Sequence, residues 1–312
     1  MDIIFYHPFY DTAPWLAGIG SRLPQANIRV WQPGDNQHAD YAIVWRPPYE
    51  MLAGRQGLKA ILALGAGVDA IVEQERANSG FIPAGIPLIR LQDAGMALQM
   101  EEYVLAAVLR YFRRMDEYQH LQQQGRWQLL EPHAYADFTI GVMGLGILGR
   151  HVATQLARFG FNVRGWSRNK KHIDGVISYG GGQLAEFLSG TRLIVNLLPK
   201  TPETQGILNA SLFEQLATGS YIINIARGGH LVEQDLLTAL DSGQLRAATL
   251  DVFTQEPLAE NHPFWQRPEI TLTPHISAMT LPDNAMDQIC DNIAAFDSGQ
   301  PVSGIVDLAQ GY

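Results

Sequence analysis

The chain has 312 residues, 46% of them hydrophobic and 17% charged, with a formal net charge of −9; that length exceeds what one hydrophobic core usually serves, so two domains are expected, and the composition is globular rather than disordered or fibrous. The negative balance argues against nucleic acid and anionic membrane surfaces as partners, and no run of about eighteen uncharged apolar residues offers a membrane span. The opening MDIIFYHPFY lacks the basic flank and long apolar run of a secretory signal, and the single cysteine, Cys290, leaves no intrachain disulfide to form, so a cytoplasmic protein is expected.

In chain order, the first hundred residues alternate short apolar runs with helical patterns: IIFYHP, NIRVW, YAIVW, LKAILALGAG and PLIRL. That rhythm predicts strands joined by helices in a parallel sheet. From Met96 the pattern becomes MALQMEEYVLAAVLRYFRRMDEY, a long helix with apolar residues near 3.6 spacing, leading the chain out of the first domain. The polar segment HLQQQGRWQLLEPHAYADF reads as a loop or arm, about 120–135, too long for a simple connection inside a domain. A second alternation starts at Phe138. Strands are predicted at FTIGVMG, NVRGWS, LIVNLLP, SYIINIA, AATLDVF and EITLTPHIS, and helices at HVATQLARFG, LAEFLSG, LFEQLA and EQDLLTALDSG. This is the rhythm of a doubly wound parallel sheet. A last helix, LPDNAMDQICDNIAAFDSG, carries Cys290, for which burial is expected over reactivity.

Gly144, Gly146 and Gly149 form a GxGxxG directly after an apolar strand and at the start of a helix, the context in which this motif binds a dinucleotide. The first glycine permits the tight turn, the second admits a pyrophosphate to the backbone, and the third lets helix and strand pack closely. The phosphates then face the helix N-terminus. Arg227, in NIARGGHLVEQDLLTAL, follows the carboxyl end of a strand, where open α/β sheets bind ligands, and its planar fork suits a carboxylate. Read alone it is as readily a surface residue. Glu256 in LDVFTQEPL and His275 in TLTPHISAMT also lie beyond strand ends, and each by itself is more often structural than catalytic. A histidine exchanges protons near neutral pH, and a neighbouring carboxylate stabilises its charged form. The remaining histidines show no ligand spacing, and HExxH, paired CxxC, GxSxG and GxxxxGK[ST] are missing, so neither a metal nor a nucleophilic mechanism is expected.

In this order and spacing, GLGILG, IARGG, LDVFTQEPL and TPHIS resemble the D-2-hydroxyacid dehydrogenase family over nearly the whole chain, and VWRPP, LGAGVD and WSRNKK extend the resemblance. It implies two Rossmann-like or flavodoxin-like doubly wound domains with the active site in the cleft between them. A substrate-binding domain would span 1–97, completed by 284–312, and an NAD(P)-binding domain would span 98–283. Arg227 would hold the substrate's carboxylate and carbonyl, His275 would be the acid/base, and Glu256 would pair with His275 and raise its pKa. The backbone N–H groups of Gly65, Ala66 and Gly67 would bind the carboxylate. Asp251 would sit near the nicotinamide carboxamide, with Ile147, Leu148, Leu198, Pro199 and Ala226 completing the cofactor contacts. Trp45 would border the pocket, and Trp127 lies on the arm, which in this family commonly packs on a second subunit; taken by itself, either tryptophan is more readily explained by burial in a core or a dimer interface. The implied activity is NADPH-dependent reduction of glyoxylate and hydroxypyruvate, in a homodimer. A dinucleotide-sensing scaffold of the same fold, or a dehydrogenase for another 2-hydroxy acid, are the alternatives.

The choice of NADP(H) over NAD(H) rests on WSRNKK. NAD-preferring enzymes place an acid at the end of the second strand to accept bonds from the ribose hydroxyls. Eighteen residues beyond Gly149, where the family often carries Asp, this chain has Ser167, followed by Arg168, Lys170 and Lys171. A hydroxyl and an arginine fork suit a 2′-phosphate. A solvated basic turn is the plain alternative.

Overall fold

The first five apolar runs pair as strands β1 (Asp2–Tyr6), β2 (Asn27–Val30), β3 (Tyr41–Val44), β4 (Ala60–Ala63) and β5 (Leu88–Ile89). The computed structural model describes residues 1–312 and divides them into two units, Met1–Gly95 with Thr280–Tyr312, and Met96–Met279. In the first unit the five strands form one sheet in the order β2-β1-β3-β4-β5, all neighbours parallel. Strands covered on both faces need no polar alternation, and YAIV and AILA are buried at every position. This order reverses direction between β1 and β3, so ligands are expected beyond the carboxyl ends of those two strands. Ile4, Val44, Ile61 and Leu88 pack with Trp31, Phe81 and Val306 on one face.

The chain's last segment completes this unit. The helix Pro282–Asp297 lies against the helix Ala13–Arg22. Arg22 pairs with Asp287 at 2.6 Å, and the Tyr41 hydroxyl donates to Asp297 at 2.7 Å. Cys290 is buried in this helix, and burial pushes its thiol up to about 11.

The second unit is built on seven parallel strands, β6 (Ile140–Met143), β7 (Val163–Trp166), β8 (Val176–Tyr179), β9 (Leu193–Asn196), β10 (Ser220–Asn224), β11 (Leu245–Leu250) and β12 (Ile270–Leu272). Their order is β12-β11-β10-β9-β6-β7-β8. The switch point falls between β6 and β9, which pair from Ile140↔Leu193 to Met143↔Asn196. It puts the glycine loop after β6 at the place where this topology binds dinucleotides. The period of two along the strands separates two cores. Ile140, Val142 and Ile223 meet Val108 and Tyr111 of the helix Met96–Phe112 and Val152 and Leu156 of the helix Ile147–Phe159. Met143, Ile222 and Leu250 meet Phe187, Leu212 and Leu236 on the other face. Each fully buried large apolar side chain here contributes about 1.5–3 kcal/mol over an exposed one.

Two elements differ from the sequence reading. The long helix is broken: Arg114 adopts a left-handed conformation (φ +57), and a second helix, Met115–Gln123, starts in a new direction and runs into the arm. Arg114 turns its guanidinium onto Glu117 and onto the Glu131 carbonyl at 2.6 Å, which holds the base of the arm. Strand β8 was not foreseen; it is a four-residue edge strand, VISY, whose only buried residue is the polar Ser178. No helix is long and apolar enough to cross a membrane.

Candidate active site

In the second unit the loop after β6 is shaped by its glycines. Gly144 has φ +95, closed to most side chains, and a Cβ there would stand 2.6 Å from the Leu197 carbonyl oxygen. A Cβ at Gly149 would collide with the Gly144 carbonyl, so the helix Ile147–Phe159 can start only with glycine at that position. Gly146 is the residue before this helix and is the opposite case: a Cβ there would meet nothing within 4 Å. The first-turn N–H groups, uncapped by any side chain, therefore open onto free space, as a pyrophosphate requires. Ile147 is exposed beside this opening, Leu148 half-buried, and Leu198 buried across the switch point, followed by Pro199.

Beyond β9 and β10 lies a buried polar platform. Asn196, Asn224 and His230 have no exposed surface. The Asn196 amide donates to the Asn224 carbonyl oxygen at 3.0 Å and to His230 Nδ1 at 2.9 Å. The Asn224 amide in turn donates to the Arg227 backbone carbonyl at 3.1 Å, and its oxygen accepts from the Ala226 N–H at 3.3 Å. Buried polar groups are costly unless bonded, so this network fixes the turn that presents Arg227. Next to it, a Cβ at Gly228 would overlap the backbone of Phe253 and Thr254. Glycine there lets the arginine turn press directly on the loop after β11.

That loop carries Glu256, whose carboxylate accepts from the Phe253 N–H at 3.0 Å and from His275 Nδ1 at 2.8 Å. Because a carboxylate only accepts, His275 donates through Nδ1 and keeps Nε2 for exchange with a reactant. Burial alone would raise the Glu256 carboxyl, but the His275 and Phe253 hydrogen bonds and the charges of His275 and Arg227 outweigh it and hold the group below the usual carboxylate range.

His275 itself stands in a left-handed backbone conformation, φ +58, a strained position for a residue with a side chain. Its loop is held by Asp251, which is fully buried at the end of β11. Asp251 accepts from Thr273 Oγ1 at 2.6 Å, the Ile276 N–H at 2.8 Å and the Ser277 N–H at 2.8 Å. Since the Thr273 proton goes to Asp251, the 2.6 Å contact between Tyr103 and Thr273 has the tyrosine as donor. Burial pushes the Tyr103 hydroxyl up to about 12, in keeping with that role.

In the first unit, Trp45 follows β3 at the switch point, with its ring parallel to His7 (interplanar angle 8°) and Arg46 over its face at 5.8 Å. Gly65 lies against the Trp45 ring so closely that a Cβ would overlap it. Ala66 and Gly67 are half-buried at the head of the helix Asp69–Ala77.

The family model for the D-isomer specific 2-hydroxyacid dehydrogenase, NAD binding domain, matches residues 105–277, and over the full length of both chains the sequence is 63% identical to glyoxylate/hydroxypyruvate reductase A of Serratia proteamaculans. The chain belongs to the D-2-hydroxyacid dehydrogenase family. It is similar, with a TM-score of 0.92 and 38% identity over 100% of this chain and 99% of the other, to a D-isomer specific 2-hydroxyacid dehydrogenase of Xanthobacter autotrophicus solved with NADPH and MES. An NADPH-dependent glyoxylate/hydroxypyruvate reductase of Sinorhizobium meliloti, solved with NADP and sulfate, matches with a TM-score of 0.90 and 35% identity over 100% of this chain and 99% of the other. The dehydrogenase fold of two parallel-sheet α/β domains is therefore that of the family.

Within this dehydrogenase, Arg227, Glu256 and His275 come together beyond the carboxyl ends of β10, β11 and β12, in the same unit as the glycine loop. The basic turn departs from expectation in detail. The Ser167 hydroxyl, read as a phosphate ligand, is buried and donates to the Asn169 carbonyl at 2.8 Å, closing the turn. Arg168, Lys170 and Lys171 are all exposed, and Lys171 reaches back to the Leu145 carbonyl of the glycine loop at 2.9 Å. Asp251 has its carboxylate engaged by the His275 loop. Asn196, Asn224, His230, Tyr103 and Thr273 were not singled out by spacing; for Asn196, Asn224 and Thr273 the sequence signal is a polar residue at the end of an apolar strand. Asp2, His38 and Asp40 also gather ligand atoms within 4.8 Å of one another, which their spacing does not reveal, and the Lys59 ammonium at 3.4 Å from Asp40 makes the cluster an ion-pair network.

Proposed function

We propose that this dehydrogenase reduces glyoxylate to glycolate and hydroxypyruvate to glycerate, with NADPH preferred over NADH. The observation that carries the reading is the Glu256–His275 pair at 2.8 Å, with Arg227 close enough for its charge to act on Glu256. NADPH supplies the hydride. The chain's own residues manage the charge and the proton: Arg227 meets the substrate's carboxylate and the negative charge developing on its carbonyl oxygen, and His275 gives that oxygen the proton from Nε2. Glu256 stabilises the imidazolium before transfer, and His275, half-exposed, regains its proton from water. The sum is 2-oxoacid, NADPH and one proton giving 2-hydroxyacid and NADP⁺.

Gly144, Gly146, Ile147, Leu148, Gly149, Leu198, Pro199 and Ala226 are the proposed cofactor contacts, with Arg168 and Lys170 for the 2′-phosphate. Asp251 acts beneath the nicotinamide side of the site by anchoring the His275 loop. Gly65, Ala66 and Gly67 offer backbone N–H groups to the carboxylate, and Trp45 limits substrate size. The Serratia and Sinorhizobium relatives, both glyoxylate/hydroxypyruvate reductases, support this substrate class. A homodimer is part of the reading, supported by the arm, where Trp127 is fully exposed and Leu129 is 91% exposed. The test is the loss of NADPH absorbance with a panel of 2-oxoacids, repeated with NADH. Turnover of glyoxylate and hydroxypyruvate with NADPH preferred is expected, and a chain that binds NADPH but reduces no 2-oxoacid refutes the reading in favour of a dinucleotide-sensing scaffold.

A further inference from the structure

Arg90 follows β5 in the first unit and is a charged group without a charged partner. Its guanidinium donates to the Ala66 carbonyl at 3.3 Å, its Nε is buried without any acceptor, and no carboxylate pairs with it. Burial lowers its pKa with no neighbouring charge to offset the effect. An arginine held this way costs stability, since buried charges are normally paired. Its backbone is pinned nonetheless: the Arg90 N–H donates to the Gly304 carbonyl at 2.9 Å, and Ile89 bridges Ile305.

What Arg90 touches gives this cost a use. The Leu91 N–H donates to the Gly65 carbonyl at 3.1 Å, so Arg90 and Leu91 engage the carbonyl ends of two successive peptide units, Gly65–Ala66 and Ala66–Gly67. In a trans peptide the N–H points opposite to the C=O. The Gly67 N–H therefore faces away from the Arg90 guanidinium and the Ala66 N–H away from the Leu91 backbone, and neither they nor the Gly65 N–H bonds to any acceptor in the chain. A hydrogen bond to one end of a peptide polarises the other end, more so when the donor is charged.

We propose that Arg90 is a positioning residue for the substrate carboxylate: from behind the Gly65–Gly67 loop its guanidinium aligns and polarises the Gly67 N–H donor and places a buried positive charge behind the loop. The inference rests on the reading of this chain as a 2-oxoacid reductase. A carboxylate carries the same charge before and during hydride transfer, so Arg90 acts on binding rather than on the chemical step.

The experiment compares wild type, Arg90→Met and Arg90→Lys in glyoxylate kinetics and in binding of oxalate, which offers a carboxylate and no reducible carbonyl. Loss of a charged donor predicts a rise of about tenfold or more in the glyoxylate KM and in the oxalate Kd for Arg90→Met, with kcat and the NADPH KM within about threefold. Arg90→Lys, which keeps the charge and loses the fork, should recover part of the loss. An Arg90→Met protein with unchanged glyoxylate KM overturns the proposal while leaving the reductase reading intact. So does a variant pair in which every kinetic constant worsens in step with melting temperature and Lys is no better than Met. If Arg90→Met does not fold, Arg90→Lys alone decides: an oxalate Kd equal to wild type overturns the proposal and a weakened one with normal NADPH binding supports it. A wild type that reduces no 2-oxoacid defeats the functional reading itself, and Arg90's role with it.

Discussion

Replacing Thr273 by Val tests whether the chain of hydrogen bonds behind His275 holds the acid/base in place. Valine is close to threonine in volume but puts a methyl where the hydroxyl was, so the side chain still fills its place while two bonds are lost and the methyl faces the Asp251 carboxylate and the Tyr103 hydroxyl. One is the 2.6 Å donation to the fully buried Asp251 carboxylate; a hydrogen bond to a charged group contributes about 1.5–3 kcal/mol. The other is the 2.6 Å bond accepted from Tyr103, whose hydroxyl is left without its acceptor, at about 1–3 kcal/mol if no water replaces it. Asp251 keeps the Ile276 and Ser277 N–H groups, so the loop stays attached. Stability should therefore fall by about 2–4 kcal/mol, below the simple sum. His275 sits between these anchors in a strained left-handed conformation, and relaxation of the loop displaces its ring. A misplacement of about 1 Å costs up to about 100-fold in rate, so kcat should drop by about 10- to 100-fold with NADPH affinity unchanged. Tyr103→Phe, which removes only the outer bond, should lose about 0.5–1.5 kcal/mol and little activity. Urea unfolding with steady-state kinetics on both variants is the assay. A Thr273→Val protein that unfolds within about 0.5 kcal/mol of wild type and keeps its kcat would show that the Asp251 network does not position His275.

Ser167→Asp combined with Arg168→Ala should move preference toward NADH by at least about tenfold, through loss of a charged bond and gain of a repelling carboxylate; an unchanged ratio of kcat/KM values for the two cofactors contradicts the 2′-phosphate role. Arg227→Lys keeps the charge but not the bidentate fork, so both glyoxylate KM and kcat should worsen by about tenfold or more, and near-normal kinetics would mean another group holds the carboxylate. Glu256 has a folded pKa below its unfolded value, so its contribution to stability is complete above the ordinary carboxylate range and is lost as pH falls through the lower folded value. Between about pH 6 and about pH 3 wild type should thus lose more unfolding free energy than Glu256→Gln, and parallel curves from denaturant titrations would refute the His275–Glu256 coupling. Light scattering should give a mass of two 34.5 kDa chains, reduced toward one by Trp127→Ser with Leu129→Ser; a wild type of single-chain mass removes the arm's proposed role.

Most of the second sheet was readable because its strands are buried on both faces and so appear as unbroken apolar runs, and the glycine loop was readable because each glycine answers a local demand. Gly144 needs a positive φ, and Gly149 has no room for a Cβ against the Gly144 carbonyl. Strand β8 escaped notice although VISY is apolar at three of its four positions: it is short and at the sheet edge, and its one buried residue is the polar Ser178. The break at Arg114 was hidden because an arginine in left-handed conformation looks like any other helix former until the Glu131 carbonyl is seen to hold it.

The chemistry-bearing residues Arg227, Glu256 and His275 could be picked out from the sequence, since each follows a strand whose carboxyl end must point the same way in a parallel sheet. Their partnerships could not. Glu256 meets His275 across 19 residues, Tyr103 meets Thr273 across 170, and Arg90 meets Ala66 across 24. Spacing constrains only residues that share one helix or strand, whereas strand order in space decides which loops become neighbours. The direction of a small side chain is set the same way: whether the Ser167 hydroxyl faces a phosphate or the Asn169 carbonyl depends on how the turn after β7 closes, which the tertiary fold alone determines.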